Sequence, residues 1–372
     1  MKMVKRIVKR GFLVMVLTWM AMTAINTVGS GTVSCKTAQA ATDKIKIPRN
    51  AKKKDAKAVR KLNQTKIDIV SYQWKKGRLV KLTLDLFPVS PALFKKVNTQ
   101  LKALTGLTDL ELLLSGGDSK NAKYKPDLSK NRKLKKLYIS LPINKIDLSK
   151  NRKLESLTLN GDESQLSKLN LSKNTRLKEF LINGGKITKL NLSKNRKLEK
   201  LQIGNVKIGS LDLSKLTELK TLNIVNTDLE KLDLSKNIKL KNLFIQGSAN
   251  TNLKRLDLSN LRDLYQVVVN DCNGLMLFLD NLPSLTFIML ENCNTLHVTN
   301  CGQLEDIYIP SGEAEKIEIQ NCPKLLPSNG FGIKNYGQSW DVTAVYRTDL
   351  LYGGEHYYWQ YGEWRLKKEP KL

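Results

Sequence analysis

The chain has 372 residues, of which 41% are hydrophobic and 6% aromatic, and 63 Lys and Arg face 34 Asp and Glu for a net charge of +29. Two histidines, and five cysteines without close pairing, exclude the usual His/Cys metal centres. The hydrophobic share is enough to bury a core, while the charge bears on partners and not on fold.

Residues 1–40 read as an export signal peptide. Lys2, Lys5, Arg6, Lys9 and Arg10 precede the apolar run GFLVMVLTWMAMTAI, which is too short for a comfortable membrane span. The small residues AQA at 38–40 place the start of the mature chain at Ala41, an uncleaved anchor being the alternative. The long, lysine-rich leader resembles those of Gram-positive bacteria. TVSC at 32–35 is a poor lipoprotein signal, because Thr32 stands where an aliphatic residue is wanted. Without the leader, 57 basic and 34 acidic residues remain, a net +23. Residues 41–270 carry +28 and residues 271–372 carry −5, so one half is strongly cationic.

Residues 41–78 are expected to cap the N-terminal end, with a short helix in DAKAVRKLNQ and a strand in KIDIVSY. GRLVKLTLD reads as an entering repeat and SPALFKKVNTQLKALTGL as a helical segment behind it. Then one phrase returns: KIDLSKN at 145–151, KLNLSKN at 168–174 and 189–195, SLDLSKL at 210–216, KLDLSKN at 231–237 and RLDLSNL at 255–261. Its marker leucines Leu128, Leu148, Leu171, Leu192, Leu213, Leu234 and Leu258 are spaced by 20, 23, 21, 21, 21 and 24 residues, a solenoid period. Each L-x-x-L-x-L-x-x-N template is followed by a second L-x-x-L-x-[IL], such as Leu198, Leu201 and Ile203. Apolar residues at alternate positions make a strand with one buried face, so each coil is expected to hold two short strands around a thin leucine core.

These units resemble leucine-rich repeats of the 21-residue style of bacterial extracellular internalin-type proteins, over roughly residues 79–326. The resemblance implies a right-handed solenoid, mostly β and irregular, and a role as adhesin or interaction scaffold. Both ends of a solenoid expose an edge and need covering. An α/β cap at 41–78 serves one end. The aromatic, alternating stretch within 327–372, with Gly353 and Gly354 at a turn, is read as a β-hairpin cap for the other. Asn131, Asn151, Asn174, Asn195 and Asn237 sit at the bend after the strand, where an inward amide can bond free backbone groups. Leu216, Leu261 and Leu282 replace it in some units, and Cys272, Cys293, Cys301 and Cys322 in others. The cysteines are therefore read as structural, with free thiols, because parallel inward side chains on neighbouring coils have the wrong Cβ geometry for a bridge.

No chemistry of an enzyme assembles: there is no HExxH, no G-x-S-x-G and no phosphate-cradling loop, so no catalytic residue, cofactor or metal is expected. Asp147, Asp212, Asp233 and Asp257 recur beside Lys, Arg or Ser and read as a neutralised stripe. The bend that follows is different. Lys130, Arg132 and Lys133, then Lys150, Arg152 and Lys153, then Lys173 and Arg176, then Lys194, Arg196 and Lys197 recur coil after coil. At a coil spacing of ~4.8 Å, inside a Debye length of ~8 Å, their potentials add into a cationic ridge, unless they merely keep a face solvated. On the other strand Tyr138, Leu181, Phe244, Val268, Met289 and Tyr308, with Thr158, Gln202 and Asn223 among them, point outward as an alternative protein-binding strip.

The expected function is that of a secreted or surface-associated, monomeric, non-catalytic binding protein. Its partner is an anionic polysaccharide or cell-wall polymer on the ridge, or a host protein on the strip. No specific nucleic acid is expected, because a ~4.8 Å charge repeat keeps no register with phosphates ~3.4 Å apart. No sorting motif of the LPxTG kind stands before KKEPKL, so covalent wall anchoring is not expected.

Overall fold

The computed structural model describes residues 44–65, 67–87, 90–115, 124–161, 164–247, 252–293, 295–308 and 316–324, together with the backbone of short strands between 333 and 366. The expected signal peptide lies outside the described residues.

Alternation decides the architecture. Each L-x-x-L-x-[IL] segment forms a short strand: β3 (Asp109–Leu113), β4 (Lys136–Ile139), β5 (Ser156–Asn160), β6 (Glu179–Asn183), β7 (Lys200–Gly204), β8 (Thr221–Val225) and β9 (Asn242–Gln246). They pair in parallel, one coil against the next, with Leu137 beside Leu157, Leu157 beside Phe180, Phe180 beside Leu201, and so on to Leu243 beside Val267. The uneven spacing of the sequence repeat is thus the register of a ladder. Leu201 and Ile203, Leu222 and Ile224, and their counterparts turn inward and are buried. Burying such a side chain is worth about 1.5–3 kcal/mol, so each coil adds its own increment to one continuous core.

The long sheet begins with the hairpin β1 (Asp68–Lys75) and β2 (Arg78–Asp85). Past β9 it takes every second strand of the chain: β11 (Gln266–Asn270), β13 (Phe287–Glu291), β15 (Asp306–Tyr308) and β17 (Ile333–Lys334). The strands between, β10 (Arg255–Asp257), β12 (Met276–Asp280), β14 (Thr295–Thr299) and β16 (Lys316–Gln320), build a second parallel sheet on the opposite side of the coil.

Two strands per coil are therefore present from β10 onward. In the coils from Leu128 to Leu234 the second side forms no strand among the described residues; its coils meet there through the bridges Tyr124–Ile143 and Ser210–Lys231 and through single backbone bonds such as Gln165 N to Ile143 O and Lys186 N to Leu166 O. The reason is local. In those coils an Asp or Asn side chain captures the backbone N–H two residues on and turns the chain; Asp257 makes the same bond to Ser259 at the end of β10, which pairs because the coil after it offers a straight strand. At the same register in β12, β14 and β16 stand Phe278, His297 and Glu318, in line with Asp257. There the chain stays straight and pairs.

The N-terminal cap holds α1 (Lys53–Leu62) over the β1–β2 hairpin, close to the expected helix and strand. The hairpin turns through Lys76 (φ 50°) and Gly77 (φ 70°), as a two-residue turn with both centres left-handed requires. A Cβ on Gly77 would lie 2.2 Å from the carbonyl oxygen of Asn50. The next helix, α2 (Pro91–Ala103), has Ser90 as its cap, with Oγ accepting from Leu93 N at 3.2 Å, and Pro91 in its first turn. Phe94, Val97 and Leu101 close the core there. At the other end β18 (Asp349–Tyr352) joins β16 in parallel, then turns back into β19 (Glu355–Gln360) and β20 (Glu363–Leu366), both antiparallel. The expected hairpin is present, with a third strand beyond it. No helix of the described residues is long and apolar enough to cross a membrane.

Candidate functional site: the basic ridge

Two side chains per coil fix the bend that carries the ridge. The first is the Asp or Asn of the D/N-L-S phrase, whose Oδ1 accepts the N–H of the serine two residues on: Asp147 from Ser149 at 2.8 Å, Asn170 from Ser172 at 3.0 Å, Asn191 from Ser193 at 3.0 Å, Asp212 from Ser214 at 2.9 Å. The second is the buried asparagine. Asn174 Nδ2 donates to the carbonyls of Leu148 (3.1 Å) and Asn151 (3.0 Å) in the coil before it, and Asn195 does the same to Leu171 and Asn174.

Between these two anchors the chain is pinned, and the intervening lysine is thrown outward. Lys130, Lys150, Lys173 and Lys194 are exposed, as are Arg132, Lys133, Arg152, Lys153, Arg176, Arg196 and Lys197 just past the asparagine. All eleven residues named from the sequence stand at the bends, stacked coil upon coil. Lys215 and Lys236 continue the lysine column and are also exposed. Sequence reasoning missed Lys215 because Leu216 interrupts the K-N-x-[RK] phrase there, and missed Lys236 although K-N-I-K at 236–239 carries the phrase intact; the SK dipeptide after each D-L or N-L was the signal. Among the described residues none of these thirteen takes part in an ion pair, whereas Lys135 pairs with Glu155, Lys220 with Glu199 and Lys239 with Glu218.

The aspartates are stabilised by the serine and lysine neighbours beside them, the serines first. Hydrogen bonds from Ser149, Ser214 and Ser235 hold Asp147, Asp212 and Asp233 below the usual carboxylate range. Lys102, with help from Ser129, brings Asp127 to about 2. Their carboxylates serve the turn first and the neighbouring lysines second.

The apolar strip is a single column of the long sheet, since Tyr138, Thr158, Leu181, Gln202, Asn223, Phe244, Val268, Met289 and Tyr308 face one another strand by strand. It is not an open row. Phe244 and Val268 are buried at 5% and 1% exposure, packed with Val225 against Phe287 and Met289. Tyr138, Leu181 and Met289 are half-buried, and the Tyr308 side chain lies outside the described residues.

The cysteines divide. Cys301 and Cys322 follow β14 and β16 at the asparagine position, but Cys272 and Cys293 follow β11 and β13 on the opposite side of the coil. All four are buried and unbridged. Burial pushes the Cys272 thiol up to about 12, and the Cys293 thiol also upward. No group of three or more His, Cys, Asp or Glu among the described residues is arranged to hold a metal ion.

No protein-family signature matches the chain, and no curated protein matches it at a significant level. Solved structures do match. The functional domain of InlJ from Listeria monocytogenes, which includes a cysteine ladder, aligns with a TM-score of 0.51 at 24% identity, over 63% of this chain and 50% of that one. The chain thus spans about half the length of that structure. An internalin, InlF, from the same organism aligns with a TM-score of 0.42 at 16% identity, over 72% of this chain and 92% of that one. A leucine-rich-repeat protein of Leptospira interrogans gives a TM-score of 0.34 at 15% identity, over 67% and 86%. With the repeat register read from the sequence and the likeness to InlJ in agreement, the fold of this chain is that of an internalin-like leucine-rich-repeat solenoid.

Proposed function

We propose that the chain is exported and works outside the cell as a non-catalytic binding protein that holds a linear anionic polymer along its basic ridge. The observation that carries this reading is the column Lys130, Lys150, Lys173, Lys194, Lys215 and Lys236, one exposed and unpaired ammonium per coil. Charges ~4.8 Å apart and on one side act together on a polymer lying across the coils, and they gain most from releasing its counterions. The leader at 1–40 supports export, and the internalin-like fold supports a scaffold that binds. Recognition of a protein through the long sheet is the lesser reading, because Phe244 and Val268 are already covered.

The test replaces Arg132, Lys133, Arg152, Lys153, Arg196 and Lys197 with Glu. All six are exposed at bends, so the melting temperature should hold. Binding to poly(glycerol phosphate) and to heparin should be lost, and in the wild type it should fall steeply between ~50 and ~200 mM salt. A variant that keeps both its melting temperature and its polymer binding would overturn the reading.

A further inference from the structure

We infer that the polymer seat is centred on the two coils from Lys168 to Lys197, and that Asn170 and Asn191 place it there. The inference rests on the polymer-binding reading and adds to it a location and two specificity-determining residues.

The turn before each ridge lysine needs an acceptor at one position, and Asp and Asn both supply it. Ser172 and Ser193 reach Asn170 and Asn191 at 3.0 Å, within the 2.8–3.1 Å that Ser149 and Ser129 show toward Asp147 and Asp127. Geometry does not choose between the two residue types; charge does. A carboxylate here is exposed, ionised by its own turn and one side chain away from the ridge lysine. In four ridge coils it subtracts a charge, at Asp127, Asp147, Asp212 and Asp233, although Asp127 is also engaged by Lys102. In the two adjacent coils with Asn it subtracts none.

The remaining residues sharpen the contrast. The stretches 164–178 and 180–198 contain no acidic residue, and the turns and bends within them carry Lys168, Lys173, Arg176, Lys189, Lys194, Arg196 and Lys197. The coil before sets Asp147 among its lysines, and the coil after sets Asp212 beside Lys215, while its Glu218 pairs with Lys239. Positive potential is therefore highest in the middle of the ridge and drops sharply on the C-terminal side. A polymer bearing phosphate or sulfate groups should lie deepest over these two coils.

Three variants test this in the full mature chain, with poly(glycerol phosphate) and heparin as separate probes for the phosphate and sulfate sources. Asn170→Asp with Asn191→Asp keeps both turn acceptors. It should weaken binding about tenfold at ~50 mM salt, an effect that vanishes near ~500 mM, while the melting temperature holds or rises. Asp147→Asn should tighten binding about threefold. Glu305→Gln, exposed and several coils away, makes the same change in net charge and should leave binding unaltered. The inference is overturned if the double variant binds like wild type, or if Glu305→Gln matches Asp147→Asn, since net charge alone would then set affinity. Loss of binding in the six-Glu ridge variant alongside a fully active double variant removes the inference and leaves the ridge. Failure of the wild type to bind either polymer removes both.

Discussion

Asn195 earns its burial through its amide nitrogen alone. Nδ2 holds two carbonyls of the preceding coil, while Oδ1 is buried with no partner. Asn195→Ala would remove the second hydrogen bond of the Leu171 and Asn174 carbonyls, which still accept from Asn174 N and Leu177 N, and should cost about 1–3 kcal/mol. Asn195→Leu should cost less, because Leu216 already fills the same place in the next coil. Urea melts of the two variants decide whether hydrogen bonding or volume dominates at this position. The turn aspartates predict an acid response. Their folded pKa values lie below the unfolded value of ~3.9, so their contribution is complete above that value and is lost as pH falls through the folded values, toward about 2 for Asp127. Melting temperature should therefore be level above pH ~5 and should drop between pH ~4 and ~2. Asp127→Asn should flatten the lower part of that drop.

Among the elements, the N-terminal cap depends on one buried acid. Asp55 in α1 is fully buried, accepts from Arg78 Nη1 at 2.8 Å and from Leu79 N at 3.1 Å, and so ties the helix to β2. Arg78 is partly in solvent, so the larger loss on removal is the buried Leu79 N–H. Asp55→Ala should cost about 2–3 kcal/mol and Asp55→Asn about 1, measured by chemical denaturation. The long sheet was legible in the sequence because leucine spacing is ladder register. The second side was not, since L-x-L-S reads the same whether its amides bond to the next coil or to an Asx side chain; the marker was Phe278, His297 and Glu318 in the place of Asp257. Of the ridge, the positions were legible and the extent was not. Burial of Phe244 and Val268 was hidden, because alternation says which way a side chain points but not how tall its neighbours stand. The four cysteines looked like one ladder since the two templates of a coil are nearly alike.

At the scale of the molecule, charge and core run along the same axis but do different work. The leucine interior is continuous from Leu62 to Cys322, and the surface is not. A strongly basic segment up to residue 270 is followed by one of net −5. Like charges at the bends of neighbouring coils repel, so those bends are held by the ladder and the asparagine column beneath them, and replacing the exposed cations need not weaken the fold.

The change from one ladder per coil to two, at β10, has a consequence for how the chain breathes. Coils that meet through two sheets are coupled to their neighbours more tightly than coils that meet through one sheet and a row of amides. Local opening should therefore be cheapest on the D/N-L-S side before Leu234, under the ridge itself. Amide hydrogen exchange should be faster at 145–148, 168–171 and 189–192 than in β12 and β14, while β5 to β9 exchange slowly throughout. The basic face would then be the compliant side of a stiff spine, able to follow the bends of a polymer that the long sheet could not accommodate.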